Sequence, residues 1–174
     1  MPIMGQESFR QSLTLPQRAN LFSVLINAPI GGGDFYTLQV RARATSIPAR
    51  RNSQIKVPYK QTGGVVYAGK TEYDQLWEVS FIESEDQKIF QAMSGWQQAI
   101  ANNVTGVGIG NYMSDVSFSL DSVEGVANQV ITLKNAWVQS VGKVTLTSEN
   151  ATTIVTYPIS FSFDYFVSNL DYRK

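Results

Sequence analysis

Apolar and polar residues alternate along most of the chain, and this predicts a mainly β protein. In the segment LWEVSFI, Trp77, Val79 and Phe81 fall on one side of an extended chain, as in a strand with one buried face. The same two-residue period recurs in seven other segments, so we expect an antiparallel β-sandwich or barrel of about eight strands. The other segments are ANLFSVLI, YTLQVRARA, GVVYAG, VSFSLDSV, VITLKNAWV, GKVTLT and YPISFSFDYFV.

Two of these segments predict specific buried faces. In YTLQVRARA the face holds Leu38, Val40, Ala42 and Ala44. In the last segment every second residue from Tyr157 to Val167 is large and apolar. Since such a row cannot remain in water, we expect the C-terminal segment to be one long strand that is integral to the core.

The segment SEDQKIFQAMSGWQQAIANN has a helical period instead. It predicts a single helix over 85–102, which plugs an open face or end of the β-structure. Ser84 and Gln87 have the spacing of a capping box, and Asp86 lies near the positive end of the helix dipole. The predicted apolar face contains Ile89, Phe90, Met93, Trp96 and Ile100.

The length of 174 residues suits one domain, 1–174. We expect an N-terminal arm over 1–18 and a projecting loop or hairpin over 45–75, because the chain leaves a strand at Pro48 and returns through Gly63 and Gly64. Gly31–Asp34 predicts a hairpin turn. Gly106, Gly108 and Gly110 indicate a flexible connector, because they do not have the spacing of a phosphate-binding loop. No apolar run is long enough for a membrane span, so we expect a soluble protein made in the cytoplasm.

The composition argues against most catalysis. The chain has no His and no Cys, so the commonest general base, metal ligand and thiol nucleophile are missing. Glu83, Glu85 and Asp86 are the best candidates for paired carboxylates, but their place between a strand and a helix favours a solvated cap. We therefore predict that the protein is not an enzyme and has no catalytic, cofactor-binding or metal-binding residues.

Charge is balanced overall but segregated along the chain. Fourteen basic residues match fourteen acidic ones; seven bases and no acid lie between Arg41 and Lys70, and six acids and no base between Glu72 and Asp86. Such blocks can pair within one chain or between copies of it. The basic block, with its neighbouring tyrosines, can also be interpreted as a single-strand nucleic-acid surface, but the nearby acids oppose phosphate binding.

The order of several motifs resembles the tail tube protein of contractile-tailed bacteriophages. The similarity runs over nearly the whole chain, and its most specific parts are SIPA after a strand, the hairpin return Tyr73–Trp77, and AWVQSVG followed by a strand that ends in FDYF. The resemblance implies a small β-sandwich with one helix, six copies of which form a ring. Rings stack into a tube inside a contractile sheath, and the genome passes through the tube.

The resemblance also implies where contacts lie. We expect the basic stretch Arg50–Lys60 to contact the next ring mainly through its apolar residues, while its charges set the register. We expect a serine-rich face to line a polar lumen that does not hold DNA. The predicted stacking residues are Arg50, Arg51, Ile55, Lys56, Val57, Tyr59, Lys60, Glu72 and Asp74, and the predicted lumen residues are Ser117, Ser119 and Asp121.

The implied partners are further copies of the chain, sheath protein, baseplate and tail terminator proteins, and a tape-measure protein in the lumen, with genomic DNA in transit and no membrane insertion. The implied location is the virion tail, assembled in the host cytoplasm. Alternatives are a tube subunit of a type VI secretion or pyocin-like system, a tube initiator or terminator, a β-barrel nucleic-acid-binding module, and a carbohydrate-binding or adhesin-like sandwich.

Overall fold

The computed structural model describes residues 6–13, 15–27, 39–60, 62–101, 105, 106, 108, 110–147 and 153–171. These residues form nine strands and two helices. In chain order they are α1 (Gln6–Ser12), β1 (Phe22–Ile26), β2 (Ala42–Thr45), β3 (Arg50–Tyr59), β4 (Thr62–Tyr73), β5 (Leu76–Ile82), α2 (Lys88–Ile100), β6 (Ser114–Asp121), β7 (Ala127–Val141), β8 (Thr156–Ser162) and β9 (Tyr165–Ser168).

Seven strands form one antiparallel sheet in the order β1-β6-β7-β8-β5-β2, with β9 also paired to β7. The long strand β7 belongs to both halves of this sheet: it pairs with β9 up to Lys134, with β6 up to Ala136, and with β8 from Trp137 onward. Asn135 has a positive φ of 55°, a conformation that asparagine tolerates better than most residues. We call β1, β6, β9 and the start of β7 the first half-sheet, and β2, β5, β8 and the end of β7 the second.

The two half-sheets pack face to face around the core. Trp77 of β5 stacks on Phe118 of β6, with ring centroids 5.3 Å apart, and also contacts Phe161 of β8. The alternation predicted for β5 is confirmed, since Trp77, Val79 and Phe81 are all buried. The predicted mainly antiparallel β-sandwich is therefore confirmed.

Helix α2 covers the core with the apolar face predicted for it, apart from one residue. Trp96 is fully buried, and its indole N–H donates a hydrogen bond to the Tyr112 carbonyl at 2.8 Å. Phe90, which was predicted on the buried face, is 40% exposed and packs beside Tyr157 at the rim. The helix begins at Lys88, three residues after the predicted start at 85.

The predicted capping box is wrong. Gln87 has a left-handed backbone and no side-chain cap bond. Instead, Glu83 at the end of β5 turns its buried carboxylate toward the helix and accepts hydrogen bonds from the backbone N–H groups of Ser84, Ile89 and Phe90. A carboxylate is favourable there because it meets unpaired N–H groups and the positive end of the helix dipole. Glu83 is thus a buried cap and not a solvated one.

Three predicted strands differ from the structure. Strand β2 begins only at Ala42; Val40 is 66% exposed, and an irregularity between Ala42 and Ala44 leaves Ala44 on the surface. The segment GKVTLT, residues 142–147, is not a strand. The predicted C-terminal strand is divided into β8 and β9. Leu38 and the predicted turn Gly31–Asp34 lie outside the described residues, as does part of the glycine-rich connector.

The N-terminal arm carries the second helix, which the sequence did not predict. Helix α1 has seven residues and none of them is buried. Gln17 joins the arm to the sandwich through a hydrogen bond to the Asp121 carbonyl at 2.8 Å. Neither helix in the described part of the chain is long and apolar enough to cross a membrane.

Candidate assembly surface

Strands β3 and β4 form a long hairpin that is a separate two-stranded sheet. They pair from Arg50 opposite Tyr73 to Tyr59 opposite Thr62. Ten residues at ~3.3 Å each give a reach of about 30 Å. An isolated two-stranded hairpin is only marginally stable in water, so this hairpin has the properties of a segment that packs against another molecule.

One face of the hairpin is apolar. Ile55 lies opposite Tyr67, and Val57 lies opposite Val65, so these four side chains share one face. They are 54%, 58%, 46% and 52% exposed, respectively. We call Ile55, Val57, Val65 and Tyr67 the apolar hairpin face.

The opposite face is more polar, with Gln54 opposite Ala68 and Lys56 opposite Val66. Near the tip the pairing shifts between Val57 and Tyr59, and Tyr59 is 60% exposed beside the ammonium group of Lys60. The predicted residues Ile55, Val57, Tyr59, Lys56 and Lys60 thus lie together on the hairpin, but they do not share one face.

Val65 and Tyr67 were not among the predicted stacking residues. The segment GVVYAG was predicted as a strand and lies within the predicted projecting range 45–75; it forms part of the second strand of the hairpin. Its alternation, with Val65 and Tyr67 two residues apart, was the signal for a shared face.

Four of the six predicted charged residues lie at the base of the hairpin, and several of these have partners in their own chain. Arg51 Nε is 3.3 Å from Glu72 Oε2 on the facing strand, and Arg50 Nη1 is 3.2 Å from Asp171 Oδ1. Asp74 is exposed, and its backbone N–H bonds the Ala49 carbonyl. Exposed pairs of this kind contribute only about 0 to 1 kcal/mol, so apolar contacts are the stronger candidates for holding copies together.

A second surface is the outer face of the first half-sheet, where hydroxyl groups lie side by side. Ser117 Oγ is 3.1 Å from Thr132 Oγ1 of β7, and Ser119 donates a hydrogen bond to Asp121 at 2.7 Å. Ser23 of β1 donates to the same carboxylate. Val116 and Phe118 point into the core, which leaves the predicted lumen residues Ser117, Ser119 and Asp121 on the outer side, each partly exposed.

This hydroxyl face has little net charge. Lys134, on the same strand as Thr132, is paired with Asp115. The hydrogen bond to Asp115 raises the pKa of Lys134, which favours the charged ammonium form beside that carboxyl group. The surface is therefore polar without being strongly basic.

The first half-sheet has open edges at β1 and β9. Among the described residues, β1 pairs only with β6 and β9 only with β7. Strand β1 thus presents backbone N–H and C=O groups on its other side, a row to which a further strand can add. The edge of β9 is partly covered, because the Ser168 N–H and C=O are hydrogen bonded to the side chain and the N–H of Asp171. β1 has five residues and β9 has four.

Two of the three carboxylates considered for catalysis have structural roles, and the third, Glu85, is exposed. Glu83 caps α2, and Asp86 accepts two hydrogen bonds from Arg41, at 2.9 and 3.0 Å. Those bonds, followed by one from Ser84, lower the pKa of Asp86. Within the described residues no group of three or more acidic, His or Cys side chains is arranged to hold a metal ion.

Comparisons with known proteins identify the fold. No family model matches the chain, and no curated protein matches it. A chain in the cryo-EM structure of the anti-feeding prophage cap, described as the tube terminating cap, matches with a TM-score of 0.66 and 17% identity over 89% of this chain and 91% of that one.

Two other solved assemblies contain similar chains. One is the sheath-tube complex of an extracellular contractile injection system in its extended state, with a TM-score of 0.64 and 13% identity over 91% of this chain and 96% of that one. The other is the six-fold symmetrised baseplate of the anti-feeding prophage, with a TM-score of 0.67 and 8% identity over 89% of this chain and 96% of that one. The chain therefore shares its fold with components of contractile injection systems, in agreement with the predicted resemblance.

Proposed function

We propose that the chain is a structural, non-enzymatic subunit of the tube of a contractile tail. Six copies form a ring, and rings stack into a hollow tube inside a contractile sheath. The observation that carries this proposal is the projecting hairpin with its exposed apolar face, on a fold shared with chains of contractile injection systems.

Lateral contacts within a ring are assigned to the open edges β1 and β9. Pairing the edge of one copy with the other edge of its neighbour covers the open backbone groups of β1 and those that Asp171 does not already bond on β9. Such a contact is head to tail, and it closes into a ring when the rotation between copies allows it. The six-fold symmetrised assembly with a similar chain supports the number six.

Stacking contacts between rings are assigned to the hairpin. It leaves the second half-sheet where β5 begins at Leu76, whereas Glu83 and helix α2 follow the other end of β5 at Ile82. The two ends of the subunit therefore differ, as stacking in one direction requires. The predicted stacking residues Arg50, Arg51, Lys56 and Lys60, with Glu72 and Asp74, lie on or next to this hairpin.

The hydroxyl face is assigned to the lumen. Ser117, Ser119 and Asp121 give hydrogen-bonding groups and one carboxylate, but no row of cations that would hold phosphates. In a phage virion the cargo in transit is genomic DNA, led by a tape-measure protein. Sheath, baseplate and terminator proteins are the further partners, and assembly takes place in the host cytoplasm before the tail joins the particle.

The second candidate is a tube subunit of an extracellular injection system that carries protein cargo. The assemblies with similar chains favour it, because they include an extracellular contractile injection system and the anti-feeding prophage. The long basic hairpin and the motif resemblance favour the virion tube. The gene neighbourhood separates the two, since capsid and packaging genes are expected only beside a virion tube.

Negative-stain microscopy and sedimentation velocity of the purified full chain test the proposal. We expect rings or hollow tubes whose abundance rises with protein concentration. A protein that stays monomeric at high concentration and binds short single-stranded DNA in a salt-dependent way would be a nucleic-acid-binding module instead. Glycan binding by a monomer would support the adhesin-like alternative.

A further inference from the structure

The hairpin is joined to the sandwich at its base, and the joint is built on strand β9 and the turn after it. Tyr73, the last residue of β4, packs edge to face on Phe166 of β9, with centroids 5.2 Å apart and an interplanar angle of 81°. Arg50, directly opposite Tyr73 in the hairpin, has its guanidinium carbon 5.8 Å from the centre of the Phe166 ring. Both strands of the hairpin therefore contact one buried side chain of β9.

Asp171 closes this joint from the C-terminal side. Its carboxylate is 3.2 Å from Arg50 Nη1, and it accepts a hydrogen bond from the backbone N–H of Ser168 at 2.8 Å. The Ser168 hydrogen bond and the charge of Arg50 lower the pKa of Asp171. The carboxylate thus links the base of β3 to the end of β9.

The turn that carries Asp171 is fixed to strand β7. Asn169 accepts a hydrogen bond from the Val130 N–H at 2.9 Å and donates its own N–H to the Val130 carbonyl at 3.0 Å. Ser168 is buried. The turn is therefore a firm support, in contrast to the hairpin, whose side chains are more than half exposed at Ile55 and Val65.

We propose that Asp171 and Phe166 are positioning residues that set the direction of the hairpin, and that they couple lateral pairing at β9 to stacking by the hairpin. This inference rests on the proposed function. A neighbour that pairs with the open edge of β9 restrains the strand that carries Phe166 and leads into Asp171. Restraint of β9 adds to the support that Asp171 and Phe166 already give the base of the hairpin, so the hairpins of a closed ring vary less in direction than the hairpin of a free subunit.

The mechanism predicts an order of assembly. A hairpin of about 30 Å converts a small rotation at its base into a large displacement of its tip, because the displacement grows with the length of the arm. Stacking therefore requires hairpins that are already aligned. Rings form first, and tubes form from rings.

The experiment uses pairs of spin labels, which the chain accepts cleanly because it contains no Cys. One label is placed by Gly63→Cys near the hairpin tip, where an added side chain meets nothing within 4 Å. The other is placed by Gln91→Cys on an exposed position of α2. Pulsed electron spin resonance then gives the distribution of tip-to-body distances in the monomer at low concentration.

Asp171→Asn is the test variant, because its amide oxygen can still accept from Ser168 while the ion pair with Arg50 is lost. Glu78→Gln is the matched control, since it removes the same charge from an exposed position of β5 that lies outside the hairpin and does not contact Phe166 or Asp171. We expect Asp171→Asn to broaden the distance distribution, to leave thermal melting unchanged, and to yield rings with few tubes. Glu78→Gln should match the unsubstituted protein in all three measurements.

Two results would overturn the inference. An unchanged distance distribution in Asp171→Asn would show that the ion pair does not position the hairpin. A broadened distribution with normal tube formation would show that hairpin direction does not control stacking. Failure of the unsubstituted protein to form rings or tubes would instead contradict the proposed function, and the distance distribution would still decide whether Asp171 positions the hairpin.

Discussion

The apolar hairpin face makes a sharp prediction, because neighbouring residues of β3 point to opposite sides. Ile55 lies on the apolar hairpin face and Gln54 on the polar one. Ile55→Asp and Gln54→Asp therefore introduce the same residue and the same change of charge at adjacent positions. If the hairpin docks through its apolar face, only Ile55→Asp should prevent stacking.

The size of the effect follows from the exposure of Ile55. Complete burial of an isoleucine side chain is worth about 1.5 to 3 kcal/mol, and Ile55 is 54% exposed in the subunit, so docking can gain roughly 1 kcal/mol at this position. An aspartate there loses that gain and also has to be desolvated, at a cost of up to several kcal/mol. A total of about 3 kcal/mol per contact corresponds to a roughly 100-fold weaker association, and a ring makes several such contacts at once.

Sedimentation and negative-stain microscopy measure this directly, at about 0.1 M and about 1 M salt. Salt at the higher concentration screens charges beyond roughly 3 Å but does not weaken apolar contacts, so Ile55→Asp should lack tubes under both conditions while Gln54→Asp keeps them. The free energy of unfolding of both variants should lie within about 0.5 kcal/mol of that of the unsubstituted protein, since both positions are exposed. Equal loss of tubes in the two variants would refute the assignment of faces, and normal tubes in both would remove the hairpin from the interface.

Three other predictions concern stability. Trp96→Ala should lower the free energy of unfolding by about 3 to 5 kcal/mol in urea melts, because it leaves a cavity and an unpaired Tyr112 carbonyl; a loss below about 1 kcal/mol would contradict this. A chain that ends at Thr156 loses nearly all of β8 and all of β9, so it should be insoluble or molten, as judged by solubility and near-UV circular dichroism. A soluble truncation with a cooperative melt would show that the core lies elsewhere. The pKa of Asp86 is lowered in the folded protein, so its stabilising effect is present above the unfolded pKa and is lost as pH falls toward the folded pKa. Asp86→Asn should therefore flatten the acid side of the plot of melting temperature against pH. An unchanged plot would contradict this.

The sequence was a good guide wherever one face of a strand meets the core. The alternation of Trp77, Val79 and Phe81 in β5, and of Val116 and Phe118 in β6, survives in the structure because both strands run regularly through the sandwich. A side-chain period of two is enough to assign faces when no bulge or bend interrupts the strand. Burial of Trp96 was predicted for the equivalent reason in a helix.

The C-terminal segment shows where this guide fails. Its alternation predicts Tyr165 on the buried side, but Tyr165 is 44% exposed and Phe166 is buried in its place. The change occurs at Asp164, whose carboxylate accepts a hydrogen bond from the Asn135 side chain at 2.6 Å. A contact between residues 29 positions apart sets the bend, and no local pattern records it.

The cap on α2 was missed for a similar reason. Ser84 and Gln87 have a favourable local spacing, but the chain turns sharply between β5 and α2, with Gln87 in a left-handed conformation. This turn brings Glu83 back over the first helical N–H groups. A carboxylate four or more residues before a helix is recognisable as its cap only when the path of the chain is known.

The segregated charges have a different meaning in the structure from the one their sequence positions suggest. Arg41 of the basic block, directly before β2, binds Asp86 of the acidic block, in the turn before α2, and Arg51 binds Glu72 across the hairpin. Both pairs lie within one chain, so part of the charge of the two blocks is neutralised before any copy approaches. What the hairpin still offers to a neighbour is mainly its uncovered apolar surface, of which Ile55, Val57 and Tyr67 are examples. Since apolar contacts carry little directional information, alignment of the hairpins has to come from elsewhere, and the joint at Phe166 is the part of the fold built to supply it.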